Sequence, residues 1–117
     1  MDPDTDDLVD ALASEDAREI LCLADREPMS AQNLQEEVGV SVATVYRHTE
    51  DLVDANLLRE ETEITDDGDH YSTYETRVRS VTLTVDRERF RVDVTVRDDL
   101  VDRFSRVWRS LGESRSR

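Results

Sequence analysis

One stretch of the chain, from Met29 to Arg59, constrains the fold more than any other, because it carries the start and stop signals of two successive helices. Ser30 is placed to cap a first helix over Ala31–Val38, where apolar residues recur at helical spacing. Gly39 is placed to end that helix, since glycine readily adopts the left-handed backbone that follows a helix end. A short helix followed by a tight turn is therefore predicted.

A second helix is predicted directly after the turn. Ser41 is placed to cap it, the helix runs from Val42 to about Asp54, and Asn56 ends it as another residue that tolerates left-handed backbone. The buried side of this helix is predicted to consist of Val45, Thr49, Leu52 and Val53. Two short helices joined in this way are typical of proteins that place the second helix in the major groove of DNA.

The side chains left facing outward suit contact with DNA. Arg47 can grip a guanine edge with two donors, small apolar groups such as Ala43 can meet a thymine methyl group, and hydroxyls at a helix start can bind phosphate. The candidate DNA contacts in the two helices are Ser30, Gln32, Ser41, Val42, Ala43, Thr44, Tyr46, Arg47 and His48. A helical hairpin that only packs against the rest of the chain is the alternative.

A family resemblance rests on residues 41–58, SVATVYRHTEDLVDANLL. This segment resembles the recognition helix and exit of winged helix-turn-helix transcription regulators of the ArsR-like kind, and the resemblance extends over roughly residues 8–80. It implies a DNA-binding regulator, and such regulators are usually dimers. Thr49 departs from the family pattern, which usually has leucine there, so thinner packing beneath the helix is expected.

The net charge of −14 is the main objection to a DNA-binding interpretation, because a strongly acidic surface repels DNA. All 15 basic residues are arginine, and aspartate outnumbers glutamate. This composition resembles that of proteins from salt-accumulating halophilic archaea. In molar salt the Debye length falls to about 3 Å, so local charge decides whether DNA is repelled.

Local charge favours the DNA-binding interpretation. Acidic residues number 29 of 117, yet residues 28–35 and 38–49 contain none. Glu36 and Glu37 are the only acidic residues of the two-helix unit before Glu50. The windows without acids coincide with the elements that are predicted to face DNA.

Two leading helices, over residues 7–14 and 15–26, are predicted to supply the core beneath the two-helix unit. Cys22 falls in an apolar run and is expected to be a small buried residue. One cysteine and two histidines, His48 and His70, lie far apart in sequence. Neither a metal site nor a cofactor is therefore expected.

A β-hairpin is predicted after the second helix, with strands at Leu57–Thr65 and Tyr71–Arg79 around an acidic Asp-Asp-Gly-Asp turn. This hairpin corresponds to the wing of the resembled family. Its acidic tip is a poor clamp for phosphate, but Arg59 at its base and Arg77 and Arg79 on its return strand are candidate contacts to the DNA backbone. The alternative is that these arginines only balance neighbouring glutamates.

A second hairpin with one apolar face is predicted over Val81–Val96, followed by a helix over Asp99–Leu111. The helix carries an apolar stripe that is too wide for a soluble monomer to expose. Either the hairpin covers the stripe within one chain or a second copy contributes. A homodimer is expected, with interface residues Leu100, Phe104, Val107, Trp108 and Leu111.

These features predict an α+β fold in a single domain, with a winged helix-turn-helix part over residues 7–80 and an added β-hairpin and C-terminal dimerisation helix over residues 81–112. The predicted function is a sequence-specific transcription regulator whose partner is double-stranded DNA. The rival is a winged-helix module that binds a protein of the transcription machinery. No catalytic constellation is present in the sequence, so an enzyme is not expected. No apolar run approaches membrane-spanning length, and a cytoplasmic location is expected.

Overall fold

The structure, a computed structural model, describes residues 5–97. Four helices occupy the first half of this range, and the antiparallel strands occupy the second half. The helices are α1 (Thr5–Leu12), α2 (Glu15–Arg26), α3 (Ala31–Val38) and α4 (Val42–Asp54). The bounds of α3 and α4 confirm those predicted from the sequence, because both helices are started and stopped by their own caps. The predicted helix over residues 7–14 lies two residues earlier, at Thr5–Leu12.

In the described part of the chain, five strands form two antiparallel sheets. The first sheet has the order β1-β3-β2, with β1 at Met29–Ser30, β2 at Leu58–Ile64 and β3 at His70–Thr76. The second sheet consists of β4 (Val78–Asp86) and β5 (Arg89–Val96). We refer to the β2–β3 hairpin as the wing. An α+β architecture with an added β-hairpin is thus present, as predicted.

The core lies between the four helices and the first sheet. Its fully buried large side chains come from α2, α3, α4 and the segment that enters β2: Ile20, Leu34, Val45, Leu52, Leu57 and Leu58. On α4, Val45, Thr49 and Leu52 are buried as predicted, whereas Val53 is half-buried. This arrangement fixes which side of α4 faces outward.

Two expectations from the sequence are wrong. Cys22 is exposed rather than buried, because Ala17, Ile20 and Ala24 form the inner side of α2 and Cys22 lies on the opposite side. The return strand of the wing ends at Thr76 rather than at Arg79. The chain leaves the first sheet there, and Arg79 belongs to β4.

The second hairpin has the apolar face that the sequence predicts. Leu83 pairs with Val92 and Val85 pairs with Phe90, so these side chains share one face. The base of the face packs on the core, but Val85 near the tip is 83% exposed. The predicted C-terminal helix over residues 99–111, with all five proposed interface residues, lies outside the described residues.

Arg97 anchors the end of the second hairpin to the rest of the protein. Its backbone N–H donates to the Arg77 carbonyl at 2.7 Å, and its guanidinium pairs with Asp25 of α2 and donates to the Thr76 carbonyl at 3.3 Å. The Thr76 hydroxyl in turn donates to the Leu21 carbonyl at 2.7 Å. The two sheets and α2 therefore meet at one joint.

Candidate nucleic-acid interface

The turn between α3 and α4 is built from local backbone chemistry. Gly39 ends α3 with a φ of 81°, and its N–H donates to the Gln35 carbonyl at 2.8 Å. Apart from Gly39 and its two chain neighbours, no heavy atom lies within 4 Å of the position that a Cβ would occupy at Gly39. Glycine is thus required here by the left-handed backbone and not by lack of space.

Ser30 and Ser41 are the N-caps of α3 and α4. The Ser30 hydroxyl oxygen accepts from the Asn33 N–H at 3.1 Å. The Ser41 hydroxyl oxygen accepts from the Thr44 N–H at 3.1 Å, and the same hydroxyl donates to the Thr44 hydroxyl oxygen at 2.9 Å. A hydroxyl has one proton, and that of Ser41 is used in the bond to Thr44. The Thr44 proton is not used in this bond and can point outward. Of the two hydroxyls, that of Thr44 is therefore the one left to donate to a ligand.

The outer surface of α4 gathers most of the predicted contacts. Val42 is 44% exposed and Tyr46 is 51% exposed. Ser41, Ala43 and Arg47 are also exposed, while Thr44 and His48 are half-buried. On α3, Gln32 is exposed and the capping residue Ser30 is half-buried. We call the exposed and half-buried residues 41–48 of α4 the reading surface.

The predicted arginine contacts lie away from the reading surface. Arg59, at the start of β2, pairs with Glu75 at 2.6 Å and with Glu61 at 3.3 Å. Arg77 donates to the side-chain oxygen of Asn56 at 2.9 Å, which places it just beyond the C-terminal end of α4. Since 13 residues of helix span about 20 Å, that end is distant from the cap at Ser41. Arg79 follows on β4 and is exposed.

The wing presents negative charge to solvent. Every residue from Glu60 to His70 is exposed, and this range includes three glutamates and three aspartates. The turn at its tip is closed by Gly68, whose φ is 88°. An acidic tip repels phosphate, so the tip of the wing is a poor surface for contact with nucleic acid.

One feature of the site was missed by reasoning from the sequence. Tyr74 of β3 is only 4% exposed, and it lines a pocket between α4 and the wing together with Thr49 and Ser72. Burial raises the pKa of the Tyr74 phenol, so this group stays neutral and can donate. The sequence held no local signal for this residue, because the buried Thr49 hydroxyl already has a partner within its own helix, the Tyr46 carbonyl at 3.1 Å.

A tight helix-turn-helix followed by an antiparallel wing defines the winged helix-turn-helix class of folds. Residues 7–61 match a protein-family model described as a helix-turn-helix domain. The matched segment runs from α1 into β2 and is similar to helix-turn-helix domains. A search of curated proteins found no match.

Two further observations concern other kinds of site. Within residues 5–97, no helix is both long and apolar enough to cross a membrane. In the same range, no cluster of three or more histidine, cysteine or carboxylate side chains is arranged to hold a metal ion.

Proposed function

We propose that this protein is a sequence-specific transcription regulator that reads the major groove of double-stranded DNA with α4. The observation that carries the proposal is the reading surface: it combines one arginine, hydroxyls and small apolar groups, and residues 38–49 contain no carboxylate. Arginine suits guanine and apolar groups suit thymine methyls, so such a surface can distinguish base pairs. The helix-turn-helix match over residues 7–61 supports the general class.

The proposal includes a homodimer. Two copies would pair through the C-terminal part of the chain, with Trp108 and Phe104 near the centre of the interface. Two-fold pairing would place two α4 helices about 34 Å apart, which matches half-sites one helical turn apart on DNA. The exposed apolar side chains of the second hairpin, Leu83, Val85 and Phe90, support an interface near it.

A second candidate function is a winged-helix module that binds a protein of the transcription machinery. The exposure of Val42 and Tyr46 on α4 favours it, because protein-binding surfaces expose apolar and aromatic groups. The two functions predict different effects of Arg47 on DNA binding. An arginine that contacts a base edge raises the affinity for one DNA sequence over others, whereas a protein-binding module shows no preference among DNA sequences.

Replacing Arg47 with alanine should weaken binding to the selected DNA site by about 1 to 3 kcal/mol and change binding to random duplex little. The site would first be selected from random duplexes, and both affinities would be measured by fluorescence anisotropy. Arg89→Ala, at an exposed arginine of the second hairpin, is the matched control and should leave both affinities unchanged. Equal losses on both duplexes would make Arg47 a phosphate contact, and no loss on either would remove it from the interface.

Binding to the selected site should persist in molar potassium chloride and depend only weakly on salt concentration. The reason is that a chain with net charge −14 and a single arginine on its reading surface can neutralise few phosphates. The composition of the chain resembles that of halophilic archaeal proteins, which also suggests function in molar salt. Affinities measured from low to molar salt give the slope, and a slope as steep as that of a basic repressor would show that more arginines face DNA than proposed.

A further inference from the structure

The core of the described residues covers only part of the apolar face of the second hairpin. The face is formed by alternate residues of β4 and β5, in the cross-strand pairs Val81–Val94, Leu83–Val92 and Val85–Phe90. Val81 and Val92 pack on the core. Toward the tip, Leu83, Val85 and Phe90 are 56%, 83% and 49% exposed. A contiguous apolar patch that is exposed in this way is typical of an interaction surface.

A groove of about 360 Å³ continues this face toward the helices. It is lined mostly by apolar side chains of β5, of α1 and of the end of α4: Val92, Val94, Val96, Leu8 and Ala55. Val94 and Val96 are 37% and 42% exposed, so the groove is open to solvent. Face and groove together form an apolar strip along β5 from Phe90 to Val96, which is about 20 Å long.

The C-terminal segment, which follows Arg97, matches this strip in length and in chemistry. The helix that the sequence predicts over residues 99–111 would be about 20 Å long, and its apolar residues fall on one stripe. Residues 103–117 contain five arginines and a single acidic residue, Glu113. By contrast, α1 beside the groove carries three aspartates and no basic residue. Opposite charges thus accompany the apolar match.

We propose that the two copies of the homodimer exchange their C-terminal segments, so that residues 98–111 of each copy lie on the apolar face of the other copy's second hairpin. The inference rests on the homodimer of the proposed function and names the surface through which it forms. The apolar residues of the predicted helix lie on one side, so the helix can cover one surface only.

Exchange between copies, rather than cover within one chain, follows from the apolar surface that the described residues offer. Outside the second hairpin, their large exposed apolar side chains lie on the reading surface and on the wing: Val42, Tyr46, Ile64 and Tyr71. If each segment covered its own hairpin, residues 5–97 would keep no apolar surface for pairing away from these two elements. Exchange buries both the hairpin face and the helix stripe, and it joins the copies twice through a two-fold axis.

Single cysteines placed on the two surfaces test the exchange in full-length chains. Val85→Cys labels the hairpin face and Val107→Cys labels the predicted stripe. Both are made together with Cys22→Ser, because Cys22 is exposed and would react. A mixture of the two variants, treated with a short bis-maleimide, should give a covalent dimer that contains one chain of each kind. Thr82→Cys on the polar face of the hairpin and Arg106→Cys on the opposite side of the predicted helix are matched controls and should cross-link little.

The cross-linked products separate the exchange from the homodimer on which it rests. Products that join only two Val107→Cys chains would show that the segments pair with each other, and products that join only two Val85→Cys chains would show that the hairpins pair. A chain with both cysteines that is linked only internally would show that each segment covers its own hairpin. Each of these results overturns the exchange alone. A wild-type protein that is monomeric in light scattering overturns both the exchange and the homodimer.

A charge on the hairpin face gives a second measurement. Leu83→Asp should raise the dissociation constant of the dimer about ten-fold or more, because the carboxylate would have to be buried against the apolar stripe. Leu83 is more than half exposed in a single copy, so the variant should remain folded, which thermal unfolding in the same salt checks. Thr82→Asp, on the opposite face of the same strand, is the control and should leave the dissociation constant unchanged. An unchanged dissociation constant for Leu83→Asp would overturn the exchange.

Discussion

Replacing Leu52 with alanine should lower the free energy of unfolding by about 2 to 5 kcal/mol, because the change leaves a cavity beneath α4. Leu52 is fully buried, and its carbonyl accepts the N–H of Leu57 where the chain turns from α4 into the wing. Small domains are stable by only about 5 to 15 kcal/mol, so much of the folded population is at risk. DNA binding should fall in parallel on selected and random duplexes.

The adjacent residue provides a control for Leu52. Val53 is half-buried, so Val53→Ala removes less buried surface and should cost clearly less stability. Urea unfolding at constant high salt would give both values. Equal costs for the two variants would mean that the underside of α4 packs differently from the arrangement described above.

Replacing Trp108 with alanine should weaken the proposed homodimer by about 2 kcal/mol or more, since buried aromatic side chains dominate such interfaces. The expectation comes from the sequence, in which Trp108 falls on the apolar stripe of the predicted C-terminal helix. Light scattering across a range of protein concentrations in high salt measures the dissociation. Arg106→Ala is the matched control, because position 106 falls on the opposite side of that predicted helix.

A shortened chain ending at Arg97 tests the location of the same interface. It should be monomeric, and its DNA binding should weaken because paired half-sites are read less well by single copies. A monomeric full-length protein would exclude the dimer altogether. A shortened chain that stays dimeric would place the interface among the N-terminal helices.

The helix-turn-helix was predictable because its boundaries depend on residues that act within one helical turn. The hydroxyls of Ser30 and Ser41 each accept an N–H three residues later, and Gly39 adopts the left-handed backbone by itself. These capping contacts involve only residues close in sequence, so they can be predicted without knowledge of the tertiary structure. The reading surface follows from them, because once α4 is bounded its buried side determines its outer side.

The features that the sequence did not reveal depend on distant partners. Arg59 was a candidate phosphate contact, but its partner Glu75 lies 16 residues away and becomes adjacent only through the pairing of β2 with β3. The short strand β1 at Met29–Ser30 exists only because β3 lies beside it. The pocket that both Thr49 and Tyr74 line likewise joins a helix to a strand that starts many residues later.

The side of a helix that faces the core is also uncertain when apolar residues are adjacent in sequence. Cys22 lies between Leu21 and Leu23, and the sequence alone predicted that this apolar run would be buried throughout. In the structure, small residues on the inner side of α2 let it approach its neighbours, and Cys22 is left outside. The helical period alone did not separate these possibilities.

The joint at Arg97 has a consequence for the architecture of the DNA target. Ion pairing with Asp25 and hydrogen bonds to the carbonyls of Thr76 and Arg77 leave the second hairpin little freedom to pivot on the helical part. In the proposed homodimer, paired through the chain beyond that hairpin, these contacts would fix the distance and orientation between the two α4 helices. Inserting one base pair between the half-sites shifts one of them by about 3.4 Å and turns it around the duplex axis. A rigid dimer cannot rotate one α4 helix to match the shifted half-site. The proposed regulator should therefore bind half-sites at one spacing and not at spacings one base pair longer or shorter.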